Sequence, residues 1–269
     1  MTLPTGDSAA GNPAAGPSAR GPRRLRLPTV RPVWMYVLLA INVAVFVAME
    51  WAGGSRRTAV LIAFGANHAP AVAAGQYWRL VTANFLHIGL FHLGINAYAL
   101  YVLGPEVEAL FGHARFILIY LLSGVTGALF SFMMTQGLSA GASTSLFGLF
   151  GALAVFFYRQ RHLLGPRGRQ RLIGLGVTLS VNVMIGLSPG SGIDNWAHLG
   201  GLIGGVILAT FLCPRYQLVT PTLPPADGEP GTGEAALMDT NSLGQQRVSV
   251  GLFLVGLVAL TIIARLVQS

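Results

Sequence analysis

Lysine is absent from this 269-residue chain and cysteine occurs once. A single cysteine, Cys213, excludes an internal disulfide and any cysteine-based metal cluster. Charge of either sign is scarce: Asp, Glu, Lys and Arg make up 10% of the residues against 53% hydrophobic. So small a charged fraction cannot clothe a water-facing surface, so lipid is the main solvent and a soluble globular domain is ruled out. The formal net charge of +8, carried by 17 arginines, would suit a nucleic-acid partner if it covered one face. The arginines instead gather beside the ends of apolar runs, which points to a membrane and away from nucleic acid.

Apolar stretches recur at 32–52, 83–103, 114–135, 141–158, 172–188, 194–212 and 249–267. A bilayer span needs about 20 residues at 1.5 Å rise, and shorter runs can lean on neighbours. The expectation is an all-α polytopic membrane protein with seven transmembrane helices. Arg20, Arg23, Arg24, Arg26 and Arg31 precede the first stretch, and Arg159, Arg161, Arg167, Arg169 and Arg171 follow the fourth. Four crossings return the chain to its starting side, so the positive-inside rule places both clusters in the cytoplasm, and with them the N-terminus of a multi-pass cell-membrane protein. Residues 1–31 are rich in Pro, Gly, Ala and Ser and lack an apolar h-region. They are expected to form a disordered cytoplasmic tail, not a cleaved signal peptide. The prolines of 213–248 suggest a linker to a detached last helix over 249–269, with Asp227, Glu229, Glu234 and Asp239 as solvating charge.

Two polar clusters interrupt the hydrocarbon sequence: Gly141-Ala142-Ser143, opening GASTSLFGLFGALAVFF, and His198 in NWAHLGGLIGGVILATF. A hydroxyl and an imidazole are costly in lipid. A serine nucleophile needs a base, and His198 can serve. The fourth and sixth spans both run from outside to inside, so Ser143 and His198, each near the start of its span, come to similar depth. Gly200 and Gly204, Gly201 and Gly205, and on the other helix Gly141, Gly148 and Gly151 let backbones approach closely. In the second span, FLHIGLFHLGINAYALY, His92 and Asn96 fall at i and i+4 on one face, with His87 nearer the outer end. Together His92 and Asn96 supply two side-chain donors at the depth of Ser143, as an acyl-transfer site requires for its oxyanion.

These residues, taken in order, resemble the rhomboid family of intramembrane serine proteases over roughly 32–212. The pattern comprises Trp78-Arg79, His87, His92 and Asn96, Gly104 and Glu108 in LGPEVEALFG, Gly141-Ala142-Ser143, and Ala197-His198 followed by Gly201 and Gly205. The resemblance implies a rhomboid-like six-helix bundle over 32–212, followed here by one C-terminal transmembrane helix. It implies a Ser143–His198 dyad without a carboxylate, with His92, Asn96 and the Ser143 backbone N–H holding the oxyanion. By the same resemblance His87 orders the outer end of the second helix, Phe147 stacks on the catalytic imidazole, and Trp78-Arg79 belongs to a first loop, 53–82, that shapes substrate entry. The substrates would be transmembrane proteins, and no cofactor is implied. Many family members follow the serine with glycine, whereas this chain has Thr144, expected to narrow the site or tune the substrate. Ser145 points about 200° around the helix from Ser143, which speaks against it as nucleophile.

Three other readings fit the residues less well. A non-catalytic rhomboid-like escort protein would have no need of the dyad. A transporter lined by histidines would call for an internal repeat or a membrane-embedded carboxylate pair, and neither is present. A zinc protease fits poorly, because His87 and His92 are spaced i and i+5 with no glutamate between them. Charge alone fixes a test of topology. A reporter active only outside the cytoplasm should be silent when fused within 159–171 and active within 53–82 or after 269, and activity within 159–171 would overturn the arrangement.

Overall fold

The computed structural model describes residues 27–219 and 236–268. Its helices are α1 (Trp34–Trp51), α2 (Thr58–Phe64), α3 (Ala69–Ala73), α4 (Arg79–Thr82), α5 (Leu90–Phe111), α6 (His113–Met134), α7 (Ser143–Arg159), α8 (Arg161–Gly186), α9 (Asn195–Leu212) and α10 (Arg247–Gln268). The only strands among the described residues are two short antiparallel pairs, β1 (Asn67–His68) with β2 (Leu138–Ser139) and β3 (Tyr216–Val219) with β4 (Ala236–Asp239). The chain is thus a helical, polytopic membrane protein.

Each expected span falls on one helix, with two changes of boundary. The second was expected over 83–103, but Ala83–Phe85 forms a 3-10 turn and α5 begins only at Leu90, after Gly89 at φ +80°. Without a Cβ, Gly89 turns the chain sharply, and the segment before it meets α5 at 91°. The fifth was expected over 172–188, but α8 starts at Arg161 and is broken at Gly165, whose φ of +56° and ψ of −137° are not helical. Among the described residues α1, α6, α9 and α10 are each long and apolar enough to cross a bilayer, and the bent pair of α4 and α5 would make a fifth. The remaining two differ for physical reasons. α7 has only 17 residues, 12 of them buried, so protein and not lipid surrounds it. α8 carries Arg161, Arg167, Arg169 and Arg171 in its first half.

α7 lies at the centre, packed by α5, α6, α8 and α9. Its Leu149, Phe150, Leu153, Phe156 and Phe157 share a core with Phe111, Phe116, Ile119, Tyr120, Leu208 and Leu212. Glycine sets the spacing of the backbones here. A Cβ on Gly205 would lie 2.1 Å from the Gly148 carbonyl oxygen, and one on Gly201 would lie 2.1 Å from that of Thr144. On the opposite side a Cβ on Gly127 of α6 would lie 2.4 Å from the Ala197 carbonyl oxygen. α9 is therefore held in backbone contact with both neighbours, the close approach that small residues permit.

The start of α1 is capped from a distance. Fully buried Glu108 accepts the backbone N–H groups of Val33, Trp34 and Met35 at 2.9, 2.8 and 2.9 Å, and its Oε1 lies 2.6 Å from His113 Nδ1. Those N–H groups have no partner within their own helix, so one carboxylate serves three orphan donors. Gly104, one turn earlier, leaves room for Met35, since a Cβ there would come within 2.9 Å of Met35 Cβ.

The last segment departs from the sequence reading. Of the tail, 1–26 lies outside the described residues, but Leu27 packs on the core and Val30 N–H donates to Ala109 O at 3.2 Å. Of the 213–248 linker, 220–235, with Asp227, Glu229 and Glu234, lies outside the described residues. Its flanks pair as β3 and β4, and Asp239, expected to be solvating charge, bonds Arg115 at 2.7 Å. Buried Asn241 donates to Phe211 O at 2.7 Å and Cys213 O at 2.8 Å, and Arg115 donates to the Asn241 carbonyl. Nor is α10 detached: Leu257 and Ala264 are buried with Val72, Leu129 and Phe132, and Arg265 donates to Tyr77 OH at 3.2 Å. Glu108→Gln should turn an amide N–H toward the cap it now accepts, lowering stability by about 2–3 kcal/mol in thermal unfolding in detergent. An unchanged melting temperature would show that the cap contributes nothing.

Candidate active site

Ser143, His92 and His198 each stand at or near the first turn of a long helix, α7, α5 and α9 respectively. Each helix start is fixed by a different local device. Before α7, Gly141 adopts φ +143° and its N–H donates to Ala83 O at 2.9 Å. Before α9, Asp194 caps the helix by accepting Ala197 N–H at 3.0 Å, while its other oxygen takes the Ser131 hydroxyl of α6. Before α5, the turn at Gly89 lets Ile88 N–H donate to His92 Nδ1 at 3.2 Å.

These devices bring Ser143 Oγ to 2.9 Å from His198 Nε2, although 55 residues separate them in sequence. For the serine to donate, Nε2 must be the unprotonated nitrogen and Nδ1 must carry the proton. Phe147, one turn below Ser143, stacks on the imidazole with ring centroids 4.1 Å apart and planes inclined by 15°. Ser143, His92 and His198 are all half-buried, so the cluster is partly screened from its surroundings yet still reachable.

His92 has the complementary tautomer. Because Nδ1 accepts from Ile88, the neutral ring carries its proton on Nε2. That nitrogen lies 2.9 Å from the point where a Cβ on Gly141 would stand, and the same point is 3.5 Å from Ser143 Oγ. Gly141 is thus required twice, for its φ and for the space between His92 and the hydroxyl. A donor from α5 reaches this small volume beside Ser143 Oγ, and the Ser143 N–H, at the first residue of α7, has no partner within its own helix. The starts of α5, α7 and α9 contribute the positive ends of their dipoles to it, so the arrangement suits a negative charge developing beside Ser143.

The remaining site candidates divide. Asn96 is buried one turn below His92, and its Nδ2 donates to His92 O at 2.9 Å, leaving the second hydrogen of that amide for another acceptor. His87 is fully buried, edge-on to His92 at 5.4 Å. Arg79 lies under the first loop, donating to Ile62 O at 2.7 Å, Ala66 O at 3.1 Å and Gln76 Oε1 at 2.8 Å, with its guanidinium 4.6 Å from the Trp78 ring centroid. Ser145 Oγ is buried toward Gly124 of α6 and away from His198. Thr144 corrects its expectation: only 6% exposed, it sends its hydroxyl behind the site to Asn84 and does not narrow the space above Ser143.

Sequence reasoning missed Asn84 and the Asp194–Ser131 pair. Asp194 carried a legible signal, an acidic residue just before an apolar helix. A lone asparagine at the edge of an apolar run carries none.

Comparison with known proteins fits this geometry. The Rhomboid domain family matches residues 74–215, more than half of the chain. The rhomboid protease GluP of Bacillus subtilis is 40% identical over 185 residues, covering 68% of this chain and 35% of the relative. RHOMBOID-like protein 9, chloroplastic, of Arabidopsis thaliana is 35% identical over 155 residues, 58% of this chain and 36% of the relative. Rhomboid-like protease 3 of Toxoplasma gondii is 31% identical over 188 residues, 68% of this chain and 66% of the relative. The chain spans about a third of the length of the first two. With its serine and histidine joined at helix starts inside an apolar bundle, and with the family match running across both, this chain belongs to the rhomboid family.

Proposed function

We propose that the chain is an intramembrane serine endopeptidase that cleaves transmembrane segments of other membrane proteins near their outer ends. The observation that carries this reading is the 2.9 Å contact of Ser143 Oγ with His198 Nε2 inside a helical bundle. GluP and the Toxoplasma relative are both named as proteases, which supports it.

In this mechanism Ser143 attacks the scissile carbonyl as His198 Nε2 takes its proton. The tetrahedral oxyanion is held by the Ser143 N–H and His92 Nε2–H, with the second amide hydrogen of Asn96 below. His198 then protonates the leaving amine, and the acyl group on Ser143 is released when water attacks with His198 again as base. No cofactor enters. Helical peptide bonds are poor substrates because their carbonyls are already bonded, so the favoured segments carry Gly or Pro near the cut.

A groove of about 700 Å³ between α5 and α8 supports lateral entry from the membrane. It begins at Ile95, beside Asn96, and continues past Tyr98, Val102 and Leu175. α8 buries only Gly168 and Gly186, so little packing resists its displacement. The arginine clusters support a cytoplasmic N-terminus in the cell membrane, which puts the site on the outer side.

Ser143→Ala and His198→Ala should each abolish both cleavage of a model transmembrane substrate and labelling by a fluorophosphonate, with the thermal melt retained. Full activity of either would sink the assignment, and loss of wild-type activity with EDTA that zinc restores would replace it with a metal mechanism. His92→Ala and Asn96→Ala should each lower kcat on the order of 10²-fold with little change in KM. Reduced melting temperature with unchanged turnover per folded molecule would remove them from the oxyanion site.

A further inference from the structure

Gly141 and Thr144, on either side of Ala142-Ser143, are both tied to one short turn. Ala83 and Asn84 open the 3-10 turn Ala83–Phe85, just upstream of His87 and α5. The Ala83 carbonyl accepts Gly141 N–H at 2.9 Å, and the Asn84 side-chain carbonyl accepts the Thr144 hydroxyl. The nucleophile is therefore bracketed, two residues before and one after, by bonds to adjacent residues of the same turn.

The orientation of Asn84 leaves no choice. Its Nδ2 donates to Leu80 O at 2.9 Å and to Val81 O at 3.3 Å, which uses both amide hydrogens and fixes Oδ1 as the acceptor facing Thr144. Asn84 is 4% exposed and Thr144 6%, so water does not compete for the bond. On its other side Thr144 is clamped by α9: the hypothetical Cβ of Gly201 would lie 2.1 Å from the Thr144 carbonyl oxygen, and Gly201 follows His198 by three residues. Thr144 thus sits between the turn that leads to His92 and the helix that carries His198.

We infer that Asn84 and Thr144 are a positioning pair, whose side-chain bond fixes the first turn of α7 so that the Ser143 N–H and Oγ keep their register with His92 and His198. This rests on the protease reading above. Neither side chain reaches the reacting atoms; both act through the backbone of Ser143. Their effect should accordingly fall on the transition state, in which the Ser143 N–H is used, more than on substrate binding.

The test compares full-length wild type with Thr144→Val, Thr144→Ser, Asn84→Ala and the double variant Asn84→Ala/Thr144→Val in detergent. Valine keeps the shape of threonine and removes the donor, whereas serine keeps the donor. For Thr144→Val, kcat on a transmembrane substrate and the rate of fluorophosphonate labelling should both fall about tenfold, with KM within about twofold. Thr144→Ser should recover most of both. Asn84→Ala should match Thr144→Val, and the double variant should be no worse than either alone, because the pair acts as one unit. Wild-type kcat in Thr144→Val, a rise in KM alone, failure of serine to rescue, or multiplicative losses in the double variant would each overturn the pairing. So would a fall in melting temperature with unchanged turnover per folded molecule. An unlabelled, inactive wild type would instead overturn the protease reading and this inference with it.

Discussion

The Ser143–His198 hydrogen bond joins two helices whose residues lie 55 positions apart in sequence, and in this fold glycine brings those helices into backbone contact. Helix axes in packed proteins usually stand 8–10 Å apart, set by the side chains between them. Where α7 and α9 approach most closely, glycine stands in place of those side chains: Gly148 faces Gly205, and Gly201 faces the Thr144 carbonyl. A single methyl group at Gly201 or Gly205 would stand 2.1 Å from a backbone oxygen, which neither helix can yield without moving the other. The relative placement of Ser143 and His198 is therefore a property of the helix pair before it is a property of either residue.

A second constraint follows from burying polar groups in hydrocarbon. A partner for such a group can come only from within the protein, because lipid offers none. Glu108 meets three N–H groups at the start of α1 and the His113 ring. Asp194 meets Ala197 N–H and the Ser131 hydroxyl. Arg79 meets two carbonyls and Gln76. The same chemistry that satisfies these groups also joins elements distant in sequence, so the costly residues serve as cross-links as well as caps. The site inherits its rigidity from them, since α9 cannot slide along α6 without breaking the Asp194–Ser131 bond.

The parts legible in the sequence were those governed by a period or a run. Apolar runs located the long helices, glycines four apart marked the tight interface, and His92 with Asn96 at i and i+4 fell on the buried side of α5. The rest was illegible for specific reasons. The break before α5 depends on Gly89 taking a positive φ inside an apolar stretch, where hydropathy sees continuity. The β3–β4 pair depends on flanks of a proline-rich segment meeting across 16 or more residues, and nothing local in either strand names the other. Arg115 carries no local signal and Asp239 reads as solvating charge until the fold joins them, 124 positions apart. Asn84 is the sharpest case, because its partner Thr144 lies 60 residues away and their pairing follows from the position of the turn alone.

On the proposed mechanism His198 becomes a cation in the transition state without a carboxylate bonded to its ring. The nearest acid on its helix, Asp194, already spends its oxygens on Ala197 N–H and Ser131. What lies against the imidazole instead is the face of Phe147, 4.1 Å from centroid to centroid and nearly parallel. An aromatic face attracts a cation, by up to about 2 kcal/mol when both are removed from water. It also fixes the plane of the ring, the orienting task that an aspartate performs in a triad. Phe147 sits one turn below Ser143 on the same helix, so the group that orients the base and the nucleophile the base serves move as one body. A carboxylate in its place would have to be buried, charged and separately paired within the bundle, and the stacked ring avoids that desolvation altogether.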